Sequence, residues 1–232
     1  TYVAGFAIAK TGALLKERIL SYAVALTDTP ADKLDIVDGN IVNKADQRVL
    51  LPLSALATEA LYSLENSIHI TAESTAQIKS NAYSFGCAFA EVEVDIALCK
   101  VKLINLVNVH DCGRLINPAL AAAQVHGGMS MAVGYGLSEQ LIFDPKTGRT
   151  LNGNLLDYKL STCMDHPHFE AQFVENFEPT SPYGTKALGE PPTCPGAPAI
   201  RNAILNATGV AFNSIPINPH RLFEGFKAQG LI

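Results

Sequence analysis

The stretch from Asn117 to Leu137 carries more glycine than an isolated helix tolerates, yet everything else about it is helical. Asn117 suits the residue before a helix, because its side-chain oxygen accepts a hydrogen bond from an otherwise orphaned amide. Pro118 suits the first helical position, where no N–H is needed. Apolar residues then continue to Leu137, interrupted by Gly127, Gly128, Gly134 and Gly136. A glycine inside a helix costs about 0.5 to 1 kcal/mol relative to alanine, so a helix that keeps four of them is closely approached by another backbone or by a ligand. Gln124, Gly127, Gly128 and Met131 recur at i, i+3, i+4 and i+7 and share one stripe. Tight helix-sheet packing and a face turned toward a bound group both explain that stripe, and spacing alone leaves both open.

The flanking sequence alternates strand and helix signals. Ile8, Leu15, Ile19, Tyr22 and Leu26 fall at helical spacing and predict a first helix from about Ile8 to Leu26, stopped by Thr27-Asp28-Thr29-Pro30. Leu34 to Val42 reads as two short strands about an Asp-Gly-Asn turn, and Leu51-Pro52-Leu53-Ser54 opens a short helix to about Leu64. Ser84–Asp95 and Val101–Val109 are long β-rich runs expected to form an antiparallel meander. Within the first, Glu91, Glu93 and Asp95 alternate with Val92 and Val94, as in a strand with one solvated face. A hairpin about Asp144–Gly148, a strand over Glu170–Glu175, a helix from about Gly196 to Ala207 stopped at Gly209, and a short final helix complete the chain. The expected class is α+β, with antiparallel-rich sheets packed with helices in a two-layer arrangement. Subdomains over 1–110 and 111–232 are expected.

Composition excludes several function classes. A net charge of -5 and a pI near 5.6 leave no basic face for nucleic acid. No run approaches the roughly 20 apolar residues of a membrane-spanning helix. The opening Thr-Tyr-Val-Ala-Gly has neither the charged nor the apolar region of a signal peptide, which favours a fragment or a processed piece. The five cysteines, Cys87, Cys99, Cys112, Cys163 and Cys194, include no CxxC pair, so reduced thiols in the cytoplasm are expected and no protein metal site is assigned. His166 and His168 read as a polar turn.

Among the ionisable residues Glu190 stands out. It lies between the glycine-rich Ser181–Gly189 loop and Pro191-Pro192, just before a helix. Gly189 permits unusual backbone geometry, and each proline fixes its own φ while biasing the preceding residue toward extended conformations. The carboxylate is therefore displayed on a stiff element. Apolar surroundings would raise its pKa toward that of a general base, whereas a helix N-terminus would favour the anion. A solvated capping carboxylate is the competing reading.

Four segments in order carry a resemblance to a known family: Tyr83–Asp95; Asp111-Cys112-Gly113-Arg114-Leu115-Ile116-Asn117-Pro118; Gln124-Val125-His126-Gly127-Gly128 with Gly134-Tyr135-Gly136-Leu137-Ser138-Glu139; and Lys186-Ala187-Leu188-Gly189-Glu190-Pro191-Pro192. Together, across roughly residues 1 to 210, they resemble the molybdenum subunit of the xanthine dehydrogenase and aldehyde oxidase family, and the chain is similar to the C-terminal part of its molybdopterin-binding domain. The resemblance implies a molybdopterin cofactor whose metal is held by the pterin dithiolene. It implies that Glu190 is the general base acting on a water-derived oxygen nucleophile. Gln124 matches a glutamine that hydrogen-bonds near the cofactor, with Gly127, Gly128 and Gly189 beside it. The implied substrates are purines such as hypoxanthine and xanthine or related N-heterocycles, alternatively nicotinate or aldehydes. Iron-sulfur clusters and FAD are implied on partner chains or domains, because this chain has neither a cysteine cluster nor a dinucleotide glycine motif, and a dimer of complexes is expected. His126 departs from the Glu of many relatives, and Met129-Ser130-Met131 departs from their usual stretch, so the cofactor-facing stripe is remodelled. The family's other pterin-binding loops and most substrate-pocket residues are expected before Thr1. A non-catalytic pterin-holding subunit, with Glu190 turned away from the pocket, and a cofactor-free structural partner are the remaining readings.

Overall fold

Residues 2–65, 67–77 and 80–232 are described by a computed structural model and fall into two units, Tyr2–Lys79 and Ser80–Ile232. The division expected between residues 110 and 111 lies earlier, because Asp111 ends a strand that cannot be cut from its sheet.

In the first unit, α1 (Tyr2–Thr27) extends well before Ile8. Its core-facing residues are Leu20 and Ala23, whereas Ile8 and Leu26 stay exposed, so part of the apolar spacing marks no packed face. Strands β1 (Leu34–Val37) and β2 (Asn40–Asn43) join through Asp38 and Gly39, with φ of 46° and 72°. Two successive positive φ values match the right-handed twist of the hairpin. A third antiparallel strand, β3 (Val49–Pro52), runs straight into α2 (Leu53–Tyr62), so Leu51 and Pro52 end a strand where a helix opening was expected. Leu20, Ala23, Leu34, Ile41 and Leu56 form the core of this unit.

The second unit is built on β4 (Phe85–Asp95) and β5 (Lys100–Asp111), a long antiparallel pair with a bulge between Glu91 and Val92. Glu91, Glu93 and Asp95 are exposed and Val92 and Val94 half-buried, as the alternation requires. Helix α3 (Pro118–Leu137) begins where expected, with Asn117 Oδ1 accepting from Leu120 N at 3.1 Å. The chain then returns as β6 (His168–Phe173), which pairs with β5 in parallel. A parallel return needs a crossover, and α3 lies within it; the sheet is therefore mixed, β4-β5-β6, and not a pure meander. Helix α4 (Gly196–Thr208) stops at Gly209 with φ 73°, and α5 (Pro219–Ala228) closes the layer. Leu106, Val125, Met129, Ile200, Ile204, Leu222 and Phe226 meet between sheet and helices. No helix among the described residues is long and apolar enough to cross a membrane.

Candidate functional site

The loop from Ser181 to Cys194 is anchored against the end of β5 by main-chain bonds. Lys186 N donates to Cys112 O at 2.7 Å and Arg114 N to Gly184 O at 2.8 Å. Tyr183 and Gly184 supply the left-handed turn, with φ of 68° and 75°. Gly189 stays outside that region, so its role is not conformational freedom at positive φ. Ser181 Oγ lies 2.9 Å from Thr185 Oγ1, and Ser84 Oγ, beside the start of β4, donates to Ala187 O at 2.6 Å.

Beneath this loop is a layer of buried polar side chains. Lys186 Nζ pairs with Asp111 Oδ2 at 2.7 Å, with the lysine side chain 4% exposed and the aspartate 13%. Burial pushes the Asp111 carboxyl up, but donors from Lys186, Gly113 N and Asn176, together with the lysine charge, outweigh it and hold its pKa below the ordinary value. Asn108 and His110 are buried on the same face of β5 as Leu106. Burial lowers the His110 pKa, and neither ring nitrogen makes a hydrogen bond. Gly86 pairs with His110 across the ladder, and a side chain there would collide with the imidazole.

Glu190 opens a turn helix over Pro191–Thr193. It adopts φ -86° and ψ -35°, where an extended conformation was expected before proline. The reason is the closure of the turn, in which Glu190 O accepts from Thr193 N at 2.9 Å and Thr193 Oγ1 at 2.8 Å. Its carboxylate makes no capping hydrogen bond, which removes the capping reading. The side chain is exposed and lines a cleft of about 750 Å³ with Ser84, Gly86, Ala187, Pro191 and Cys194. The cleft is open to solvent on the side that the carboxylate faces.

Gln124 lies on the other flank of the Ala187–Gly189 segment, in a cleft of about 390 Å³ that it shares with Asn117, Lys186 and Gly189. A Cβ at Gly189 would lie 4.0 Å from Gln124 Nε2. Gln124, Gly189 and Glu190 are thus brought together around one short segment. The glycine stripe divides between its two readings. Gly128 packs against the turn that follows Glu190, where an added Cβ would lie 2.6 Å from Pro192 Cβ and 2.8 Å from Pro192 C. Gly127 has nothing within 4 Å, and Gln124, Gly127 and Met131 remain exposed. We therefore expect Gly128→Ala to destabilise the protein by about 1 to 3 kcal/mol through overpacking. Gly127→Ala is neutral or stabilises by up to about 1 kcal/mol through helix propensity. Thermal melts of the two variants check this, and equal effects would refute it.

His166 is tied into the fold, its Nε2 lying 3.1 Å from the hydroxyls of both Ser130 and Ser161. Among the described residues no group of three or more His, Cys, Asp or Glu is placed to hold a metal ion. The donors around Ala187–Gly189 are an exposed amide, main-chain groups and glycines open to close approach. They fit an organic cofactor held by hydrogen bonds. Sequence reasoning gave no individual place to Ser84, Gly86 and Cys194, which line the Glu190 cleft, or to Asn108 and His110, whose signal was two polar residues continuing the apolar face begun by Leu106.

The molybdopterin cofactor-binding domain family matches residues 1–167. The chain is 46% identical over its full length to a xanthine dehydrogenase molybdenum-binding subunit of Escherichia coli O157:H7, and covers 31% of that protein. Among solved structures, quinoline 2-oxidoreductase of Pseudomonas putida 86 superposes with a TM-score of 0.80 at 24% identity, covering 97% of this chain and 30% of the other. CO dehydrogenase from Oligotropha carboxidovorans gives 0.78 at 23% identity, covering 96% and 28%. At such identities the likeness of the structures carries the fold. The chain spans about a third of the length of the curated relatives it matches.

Proposed function

Since this chain belongs to the molybdopterin cofactor-binding domain family, we propose that it forms part of a molybdenum hydroxylase in which Glu190 is the general base. The observation that carries the reading is the placement of Gln124 and Glu190 on the two flanks of Ala187–Gly189, with Gly189 common to both clefts.

Molybdopterin, when bound, would supply an oxygen nucleophile and a two-electron acceptor for the substrate carbon. Glu190 would serve as the proton acceptor beside that group. The exposed Gln124 amide would hydrogen-bond the cofactor, and Gly189 and Gly127 would leave room for its approach. Gly128 seats the turn that follows the base. Iron-sulfur and flavin groups on partner chains or domains would take up the electrons. The substrate we assign is a purine or a related N-heterocycle, in keeping with the relative of 46% identity.

Turnover of hypoxanthine, xanthine, nicotinate and benzaldehyde by the assembled full-length enzyme in ¹⁸O-labelled water tests this. Labelled oxygen is expected in the purine products. Oxidation of benzaldehyde alone would reject the substrate class, and a native complex free of molybdenum and pterin would reject the whole reading.

A further inference from the structure

The Glu190 carboxylate is exposed and uncapped, so its aim is set by the main chain that bears it. Two carbonyls of that turn are held by side chains from distant elements. Pro192 O accepts from Asn108 Nδ2 of β5 at 3.0 Å, and Asn108 is fully buried. Thr193 O accepts from Tyr135 OH of α3 at 2.5 Å. The bonds from Thr193 N and Oγ1 and from Cys194 Sγ to Glu190 O, from Cys194 N to Pro191 O, and between Thr193 Oγ1 and Cys194 Sγ lie within the turn. They shape it without fixing it to the fold. Pro191 and Pro192 have no N–H with which to tether it, so the links to the sheet and to α3 run through Asn108 and Tyr135, beside the contact at Gly128. Burial raises the Tyr135 pKa. An apolar residue at position 108 would leave Pro192 O without this partner, while removing a side-chain oxygen that is itself buried and unpartnered.

We propose that Asn108 and Tyr135 are positioning residues that clamp the Glu190–Cys194 turn from β5 and α3 and thereby aim the base. The proposal rests on the assignment of Glu190 as base.

Tyr135→Phe deletes one hydroxyl and keeps the ring. In the assembled enzyme, assayed with whichever of the four probe substrates the wild type turns over, it is expected to lower kcat by about 10- to 100-fold with KM within about twofold. In a Glu190→Gln background the same change is expected to cost less than about twofold, since a misaimed base that is already absent loses nothing. Amide hydrogen exchange at Thr193 and Cys194 is expected to quicken by about tenfold, and Asn108→Leu to do the same. Equal losses of kcat in both backgrounds, or unchanged kcat with unchanged exchange, would overturn the proposal. If Glu190→Gln itself leaves turnover intact, the base assignment falls and the aiming role falls with it. The exchange rates then report only whether the two side chains hold the turn.

Discussion

Replacing Glu190 with glutamine in the assembled full-length enzyme is expected to lower turnover by about 10²- to 10⁴-fold, the range for loss of a positioned acid or base. Molybdenum and pterin contents are expected to stay at the wild-type level, because the change keeps the shape of the side chain and removes only its capacity to take a proton. The structure separates this effect from unfolding. Glu190 is exposed and makes no capping hydrogen bond, so its substitution removes no cap and stability stays within about 1 kcal/mol of wild type. Metal analysis, melting and steady-state kinetics on one preparation form the test. Full turnover with full molybdenum would remove Glu190 from the chemistry. Loss of the cofactor would reassign it to binding.

The second large effect concerns the ion pair under the loop. Asp111→Leu leaves the Lys186 ammonium 4% exposed without its carboxylate and is expected to cost about 3 to 5 kcal/mol. Lys186→Met costs less, because Asp111 keeps the Gly113 amide at 3.0 Å and the Asn176 amide at 3.4 Å. The double variant Asp111→Leu/Lys186→Met recovers much of the loss, since an apolar pair of similar volume needs no desolvation of charge. Calorimetric melts of the three variants check the order, and additive losses would refute it. The pH dependence follows from the lowered Asp111 pKa. Its contribution is fully present above the unfolded value of about 3.9 and is lost as pH falls through the lower folded value. Acid melts of Asp111→Leu should lack that component.

Local chemistry made much of the fold legible. Asn117-Pro118 marked the start of α3, Gly209 the end of α4, and Asp38-Gly39 a hairpin turn, because each residue type answers a backbone demand at its own position. The parallel pairing of β6 was not legible, since Glu170-Ala171-Gln172-Phe173 alternates equally well in either direction. Strand β3 was hidden because only four residues separate its start from α2. In the site, the motif order singled out Gln124, Gly189 and Glu190. Which glycines pack and which stand open depends on what crosses α3, and that is Pro192, more than sixty residues after Gly128 in the chain. Asn108 and Tyr135 escaped notice for the same reason, their partners being main-chain carbonyls that no residue type advertises.

The ties that seat the Glu190 turn also dictate when it can form. Its bonds to Tyr135 and Asn108, and those of the preceding loop to Asp111 and Ser84, join residues 58, 84, 75 and 103 apart in sequence. Closing contacts of such separation loses chain entropy before any of them repays it. On a ribosome, β4, β5 and α3 emerge long before Glu190 and must wait for it with Asn108 and the Tyr135 hydroxyl unpaired. Glu190 therefore takes its place late in folding, when the sheet and helix that hold its turn have already been made.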